Sequence, residues 1–263
     1  MLIEQIWTGN ALRNFNYLIA CPTTGEALAI DPLDHQKVLR IAQDKGWEIT
    51  QILNTHEHGD HTGGNDEVQK ATGAKILAHY QADIPNIDLH LRRGDTVNVG
   101  SHELVCLDTP GHTMSHICLL SQGDPPALFS GDTLFNAGAG NCHNGGYPDV
   151  LYETFAKILA ELPDHTLVYP GHEYMVANLK FTLDREPDNQ VARDILHEVL
   201  EQSPDQPLVT TLGMEKEMNT FFRLQQPEII ARLKKTHFPD LPDNASAKSV
   251  FLKLRQLRNH WQG

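Results

Sequence analysis

The stretch THEHGDHTGG, residues 55–64, places three histidines, a glutamate and an aspartate within six residues. It follows ITQILN, whose apolar run predicts a buried strand leading straight into the motif. His56 and His58 are two apart, and Asp60 and His61 are adjacent. A loop leaving a strand can aim these side chains at one point. Imidazole together with carboxylate suits zinc, iron or manganese. Glu57 is expected to lie beside the ligands rather than among them. Gly63 and Gly64 are expected to allow a tight turn into the next helix.

Three later segments repeat this grammar, each an apolar run ending in a glycine beside an acid or a histidine. They are TPGH (residues 109–112), SGDT (130–133) and PGHE (170–173). If their strands are neighbours in one sheet, His112, Asp132 and His172 meet the first cluster at a common edge. The set is then five histidines and two aspartates. One catalytic metal usually takes about three protein ligands and a water, so the set fits two ions. The natural division gives His56, His58 and His112 to one metal and Asp60, His61 and His172 to the other, with Asp132 bridging. Two such ions share a water and lower its pKa towards neutrality. The expected chemistry is therefore attack of a metal-bridging hydroxide on a carbonyl, with Asp60 orienting the nucleophile. His116 is expected to pack or to support a ligand from behind, and His79, at a strand end, to be structural or to give weak support of that kind.

Composition sets the outer bounds. The chain has 263 residues, enough for one large domain or two unequal ones, and 40% are hydrophobic. Acids outnumber bases 34 to 21, a net charge of -13, which argues against a general nucleic-acid binder. Cys21, Cys106, Cys118 and Cys142 form no CxxC pair. The start, MLIEQIWTGN, lacks the basic head and apolar run of a signal peptide. No apolar run approaches the roughly 20 residues of a membrane-spanning helix. A cytoplasmic protein with reduced thiols is expected, with no membrane or nucleic-acid partner and no obligate protein partner evident.

The first two thirds of the chain alternate short apolar runs with turns and helices. Two strands are expected in residues 16–32, a helix from His35 to a stop at Gly46, and further strands before each motif. DVLYETFAKILAEL (149–162) predicts one amphipathic helix, with Leu151, Phe155, Ile158, Leu159 and Leu162 on one side. After about Tyr174 the pattern becomes helical. Val191, Ile195 and Val199 recur at helical spacing, as do Val250, Leu254, Leu257 and Trp261. An α/β catalytic domain over residues 1–173 and a helical substrate-binding domain over 174–263 are the expected division.

THEHGDH followed in order by GH, GD and GH resembles the metallo-β-lactamase superfamily. That resemblance implies an αββα sandwich with the metals at one edge, here with a small C-terminal α-helical domain. Outside the metal motifs, GDTLFNAGAGN (131–141), GHEYMVANLKF (171–181), DREPDN (184–189), NTFFR (219–223) and LRQLRNHW (254–261) resemble the hydroxyacylglutathione hydrolases, or glyoxalase II enzymes. The resemblance covers nearly the whole chain. It implies hydrolysis of S-D-lactoylglutathione to glutathione and D-lactate, in methylglyoxal detoxification. It implies two divalent metal ions, zinc by default, with iron and manganese suiting the same ligands.

The same resemblance implies how glutathione is held. Tyr174 matches the tyrosine that follows the last GHE motif in that family. Arg255 and Arg258 match its basic residues in the final helix; three apart, they share a helical face and could grip a carboxylate. Asn141 and His143 stand where the family commonly has lysine and an aromatic residue. This departure keeps open a related hydrolase acting on another thioester or a lactone.

Overall fold

The computed structural model describes residues 1–203 and 205–261. The N-terminal half builds a sheet of six strands in sequential order: β1 (Leu2–Trp7), β2 (Phe15–Ala20), β3 (Glu26–Ile30), β4 (Glu48–Leu53), β5 (Lys75–His79) and β6 (Leu89–Leu91). Its first three strands pair antiparallel and the rest parallel. The parallel part needs crossovers, supplied by helices α1 (His35–Lys45), α2 (Gly59–Thr62) and α3 (Asn65–Thr72). Asp34 caps α1 by accepting from the Lys37 amide at 3.1 Å, and Gly46 ends it in the left-handed conformation.

The second sheet contains β7 (Thr96–Val99), β8 (His102–Asp108), β9 (Ile117–Ser121) and β10 (Ala127–Gly131). A small hairpin, β11 (Leu134–Phe135) and β12 (Gly138–Ala139), precedes helix α4 (Pro148–Lys157). The chain then returns as β13 (Leu167–Pro170), parallel to β10, and later adds the two-residue β14 (Thr210–Thr211). The order across this sheet is β14-β13-β10-β9-β8-β7.

Residues alternating along both sheets fill the space between them. Phe15, Tyr17 and Leu28 from the first meet Leu104, Leu119 and Phe129 from the second. The outer face of the first sheet packs on α1 and α3 through Val38, Ala42 and Val68. The outer face of the second is covered by α4 and the C-terminal helices, with Leu128, Phe155, Phe221, Phe251 and Leu254 in one cluster. Burying a phenylalanine such as Phe251 contributes roughly 1.5–3 kcal/mol. Helices and sheets therefore stack as αββα, the architecture expected.

The remaining helices are α5 (Met175–Arg185), α6 (Gln190–Leu200), α7 (Leu212–Met218), α8 (Pro227–Thr236) and α9 (Ala247–Arg258). No helix among the described residues is long and apolar enough to cross a membrane. The helix expected over 149–162 differs in one respect. The α-helix stops at Lys157, and Leu159–Glu161 form a tighter 3₁₀ turn. Pro163 ends the run, since the residue before a proline is driven out of the helical region, and Leu162 is extended. The early strand β1 and the short β7 add to the expected strands; both lie at sheet edges, and β7 (TVNV) alternates exposed and buried residues over only 4 positions.

Candidate metal centre and substrate cavity

The strands before the three later motifs share one sheet, and the strand before the first motif lies in the other. β4 belongs to the first sheet, whereas β8, β10 and β13 belong to the second. Their motifs still meet, because the two sheets are stitched together at this edge. The Ile117 amide donates to the Thr55 carbonyl at 2.9 Å, and the Phe15 amide to the Gly171 carbonyl at 2.8 Å. Gly64 acts by close approach rather than by an unusual dihedral. A β-carbon there would sit 1.8 Å from the Pro32 carbonyl oxygen.

All seven expected ligands converge. His56 Nε2 lies 3.0 Å from His58 Nδ1, and His112 Nε2 lies 3.1 Å from the same nitrogen. Beside this group, His61 Nε2 is 3.2 Å from His172 Nε2, and both lie 3.5–3.6 Å from Asp60 Oδ2. Asp132 stands between them. Its Oδ2 is 3.5 Å from His112 Nε2 and 3.3 Å from His172 Nε2, while Oδ1 is 3.4 Å from His61 Nε2. Among the described residues, the trios His56/His58/His112, His56/His61/Asp132 and Asp60/His61/His172 each bring their ligand atoms within 4.8 Å of one another.

These distances fit metal ions. Ligands at about 2.0–2.1 Å in a tetrahedral shell lie roughly 3.3 Å apart. Asp132 Oδ1 is buried without a hydrogen-bond partner, which suits an oxygen whose partner is a cation. The outward nitrogen of each ring is tied down. His61 Nδ1 donates to Asp31 Oδ2 at 2.9 Å, His112 Nδ1 to the Asn141 carbonyl at 2.7 Å and His172 Nδ1 to the Leu12 carbonyl at 2.7 Å. His58 Nε2 donates to the Asn144 carbonyl at 3.1 Å, and His56 Nδ1 pairs with Thr55 Oγ1 at 3.0 Å. Each such bond fixes the tautomer and turns the other nitrogen's lone pair inward.

Electrostatics separate the two halves. Burial pushes the pKa values of His56 and His112 down, so these rings stay neutral and free to ligate. Burial opposes protonation of His61 as well, but Asp132, Asp31 and Asp60 outweigh it and raise this ring to about 9. His172 is raised too, by Asp132 against burial. Asp132 is itself held well below its usual range: burial opposes ionisation, and His172, His61 and His112 overcome it. A place where carboxylates draw a proton onto buried imidazoles is one where they draw a dication.

The neighbouring residues take supporting parts. His116 is a packed histidine: its Nε2 accepts from the Asp132 amide at 3.0 Å, and its Nδ1 meets Thr109 and Thr133. Glu57 accepts from Ser115 at 2.6 Å and Thr113 at 3.2 Å, which ties the His56 loop to the His112 loop. His79 ends β5 and accepts from the Gln81 amide. Cys142 packs partly buried against the core, and burial raises its thiol to about 11.

Residues 141, 143, 174, 255 and 258, expected to hold substrate, line one cavity of about 270 Å³ beside the histidines. Tyr174 stacks on His172 with ring centroids 4.9 Å apart and donates to the Leu12 carbonyl at 2.9 Å. Arg258 reaches Asn178 at 3.3 Å and lies over the Trp261 ring. Asn141 Oδ1 is turned back onto the His143 amide at 3.1 Å. Arg255 lines the cavity beside Arg258 but is 3% exposed, and its guanidinium donates to the Ala139 and Gly140 carbonyls and to Asn259.

Several supporting groups are not evident from sequence. Asp31 reads there only as the end of a strand, although it follows the same grammar of an apolar run ending in an acid. Asn14, whose Nδ2 donates to Asp60 Oδ2 at 3.1 Å, gives no signal, and neither do the Leu12 and Asn141 carbonyls. Backbone acceptors leave no trace in residue identity.

Comparison with known proteins agrees with this geometry. Residues 10–172 match the family model of the metallo-beta-lactamase superfamily, and residues 173–261 match that of the hydroxyacylglutathione hydrolase C-terminus. The hydroxyacylglutathione hydrolase of Polaromonas sp. strain JS666 is 63% identical, with 99% of this chain and 100% of that protein covered. The protein of the same name from Rhodopseudomonas palustris strain BisB5 is 39% identical, with 94% of each covered. Among solved structures, ETHE1 from Myxococcus xanthus is similar at 26% identity and a TM-score of 0.67, covering 96% of this chain and all of that one. A di-iron-bound form of TTHA1623 shares the fold at a TM-score of 0.59 and 24% identity, covering 82% of this chain and 98% of that one. The chain therefore belongs to the hydroxyacylglutathione hydrolase family of the metallo-β-lactamase superfamily.

Proposed function

We propose that this enzyme hydrolyses S-2-hydroxyacylglutathione thioesters, S-D-lactoylglutathione foremost, to glutathione and D-lactate, and so serves in methylglyoxal detoxification. The observation that carries the proposal is that two residues lining the Tyr174 and Arg258 cavity touch the ligand clusters: Tyr174 stacks on His172, and the Asn141 carbonyl meets His112. In this reading His56, His58 and His112 hold one divalent ion, Asp60, His61 and His172 hold the other, and Asp132 bridges them. Zinc is the default, since nitrogen and carboxylate ligands at these spacings suit it, as they suit iron or manganese. Bound there, the pair supplies a water acidic enough to be deprotonated near neutrality and an electrophilic contact for the thioester carbonyl.

The chain's own residues do the rest. Asp60 Oδ2, steadied by Asn14 Nδ2, orients the attacking water towards the carbonyl carbon. Arg258 meets a carboxylate of the glutathione moiety, and Tyr174, Asn141 and His143 line its path from the metals. Water adds its oxygen to the carbonyl, the C–S bond breaks, and the thiolate leaves with the peptide still held in the cavity. Residues 1–173 form the catalytic domain and 174–263 the helical substrate-binding domain. The four cysteines are free, in keeping with a cytoplasmic setting where glutathione is reduced.

Thiol release from S-D-lactoylglutathione by the purified, metal-loaded protein tests this reading, and absence of turnover with both metals bound overturns it. Asn141, which brings no positive charge and is turned onto its own loop, favours a second reading in which another thioester or a lactone is preferred. A panel of acyl-thioesters and lactones separates the two by kcat/KM.

A further inference from the structure

The segment 140–147 joins β12 to α4. Both its ends are seated on the backbone of the metal centre. The Gly140 amide donates to the Thr133 carbonyl at 3.2 Å, and the Tyr147 amide to the Gly111 carbonyl at 2.9 Å. A β-carbon on Gly140 would sit 1.8 Å from the Asp132 carbonyl oxygen, and one on Gly146 would sit 2.2 Å from the carbonyl oxygens of Gly111 and His112. Between these seats the loop supplies two carbonyls to the histidines. That of Asn141 accepts from His112 Nδ1 at 2.7 Å, and that of Asn144 accepts from His58 Nε2 at 3.1 Å. Both rings belong to one ligand cluster. Residues 143–145 are nevertheless exposed and lie in no strand or helix. Among the described residues, one side-chain hydrogen bond lies within the loop: Asn141 Oδ1 accepts from the His143 amide at 3.1 Å. This is an Asx turn, in which the side-chain oxygen stands in for a backbone carbonyl and bends the chain.

We propose that Asn141 is a positioning residue for the metal held by His56, His58 and His112: its side chain bends the loop so that the Asn141 and Asn144 carbonyls aim His112 and His58 at one ion. The inference rests on the reading of those histidines as ligands of a shared metal given above. The two carbonyls stand three residues apart, on either side of the bend, so its shape sets their separation. Because both ends of the loop are seated, the bend is where its shape can change. Gly145, at a φ of 92°, lets the chain turn back towards the Gly111 backbone. The turn needs an acceptor two atoms beyond the β-carbon or nearer; alanine has none, and lysine has donors only. It uses Oδ1 alone, so the NH₂ group of Asn141, which lines the cavity with Arg255 and Arg258, remains a donor for substrate. One side-chain amide then serves the metal through its oxygen and the cavity through its nitrogen.

The test uses the full chain stripped of metal and titrated with zinc against a chromophoric chelator, for wild type, His58→Ala and four variants of Asn141. Loss of a partner that orients a metal ligand typically weakens metal binding about 10- to 100-fold. Here the carbonyls remain and only their placement is lost, so the lower end applies. Asn141→Ala and Asn141→Lys should each weaken one of the two zinc sites about 10-fold, the same site that His58→Ala loses. Asn141→Asp keeps the acceptor and should hold both sites at wild-type affinity or tighter. Asn141→Ser, uncharged and a weaker maker of the same turn, should fall between alanine and wild type. Substrate binding should follow a different order at saturating zinc. KM for S-D-lactoylglutathione should rise in Asn141→Asp, which sets a negative charge in a cavity built for an anion, and should not rise in Asn141→Lys. The zinc readout involves no substrate, so it stands apart from the choice of thioester. Wild-type affinity at both sites in the alanine and lysine variants would overturn the proposal, as would aspartate and serine variants no better than alanine. Two intact sites in His58→Ala would overturn the ligand reading and the positioning role with it.

Discussion

Asp31→Asn replaces one oxygen by an amide nitrogen, and the structure says which one. Asp31 is 2% exposed and accepts three hydrogen bonds: from the Thr55 amide at 2.8 Å on Oδ1, and from Thr55 Oγ1 at 2.7 Å and His61 Nδ1 at 2.9 Å on Oδ2. The Thr55 backbone N–H can only donate, so the remaining oxygen of asparagine must stay opposite it. The NH₂ group then faces Thr55 Oγ1, which can rotate to accept, and His61 Nδ1. Donor meets donor at the imidazole unless its proton moves to Nε2, the atom facing His172 and Asp132. That tautomer cannot ligate. A hydrogen bond to a charged group is worth about 1.5–3 kcal/mol, and lost support for a metal ligand typically costs about 10- to 100-fold in affinity. At about 1.4 kcal/mol per tenfold the two scales agree. Chelator competition should therefore show one of two metals weakened about 10- to 100-fold, with activity partly recovered in excess metal. Two sites of wild-type affinity in Asp31→Asn would refute the tautomer reasoning.

Asp132→Asn should lower metal occupancy and activity together, since its Oδ2 faces both clusters; full activity would remove its bridging role, and elemental analysis beside turnover reads both. Arg258→Ala should raise KM for S-D-lactoylglutathione about 10-fold with kcat little changed, the loss of one charged contact at a partly exposed site; an unchanged KM would exclude it from glutathione binding. Glu215 concerns stability. Burial pushes its carboxyl to about 7, against hydrogen bonds from Thr210, Asn219 and Ala137. Between its ordinary 4.5 and about 7 the native state holds a proton that the unfolded chain has released. Stability from this group is therefore full below 4.5, falls as pH rises to about 7, and is level above, by roughly 3 kcal/mol at most. Urea unfolding of Glu215→Gln should show that slope removed; a profile parallel to wild type would contradict it.

The metal ligands are legible in sequence because each sits where an apolar strand gives way to a polar loop, and burial periodicity marks that boundary. Sequence does not say that β4 and β8 belong to different sheets, because strand order depends on pairing between distant segments. The arginines show a second limit. Spacing puts Arg255 and Arg258 on one helical face, and both line the cavity, but only packing decides that Arg255 is also sunk against residues 139–140. The stop at Leu162 is readable from Pro163, but the break after Lys157 is not, because apolar periodicity runs through Leu162. The carbonyls of Leu12, Asn141 and Asn144 orient three of the histidines and are invisible in sequence, since every residue carries one.

The most direct measurement is the metal content of the purified protein taken together with its hydrolysis of S-D-lactoylglutathione. Two divalent ions per chain, with thioester cleavage that disappears on chelation and returns on reloading, is the expected result. Two bound ions without cleavage of that thioester would contradict the proposed function, and one ion with full cleavage would contradict the two-metal site.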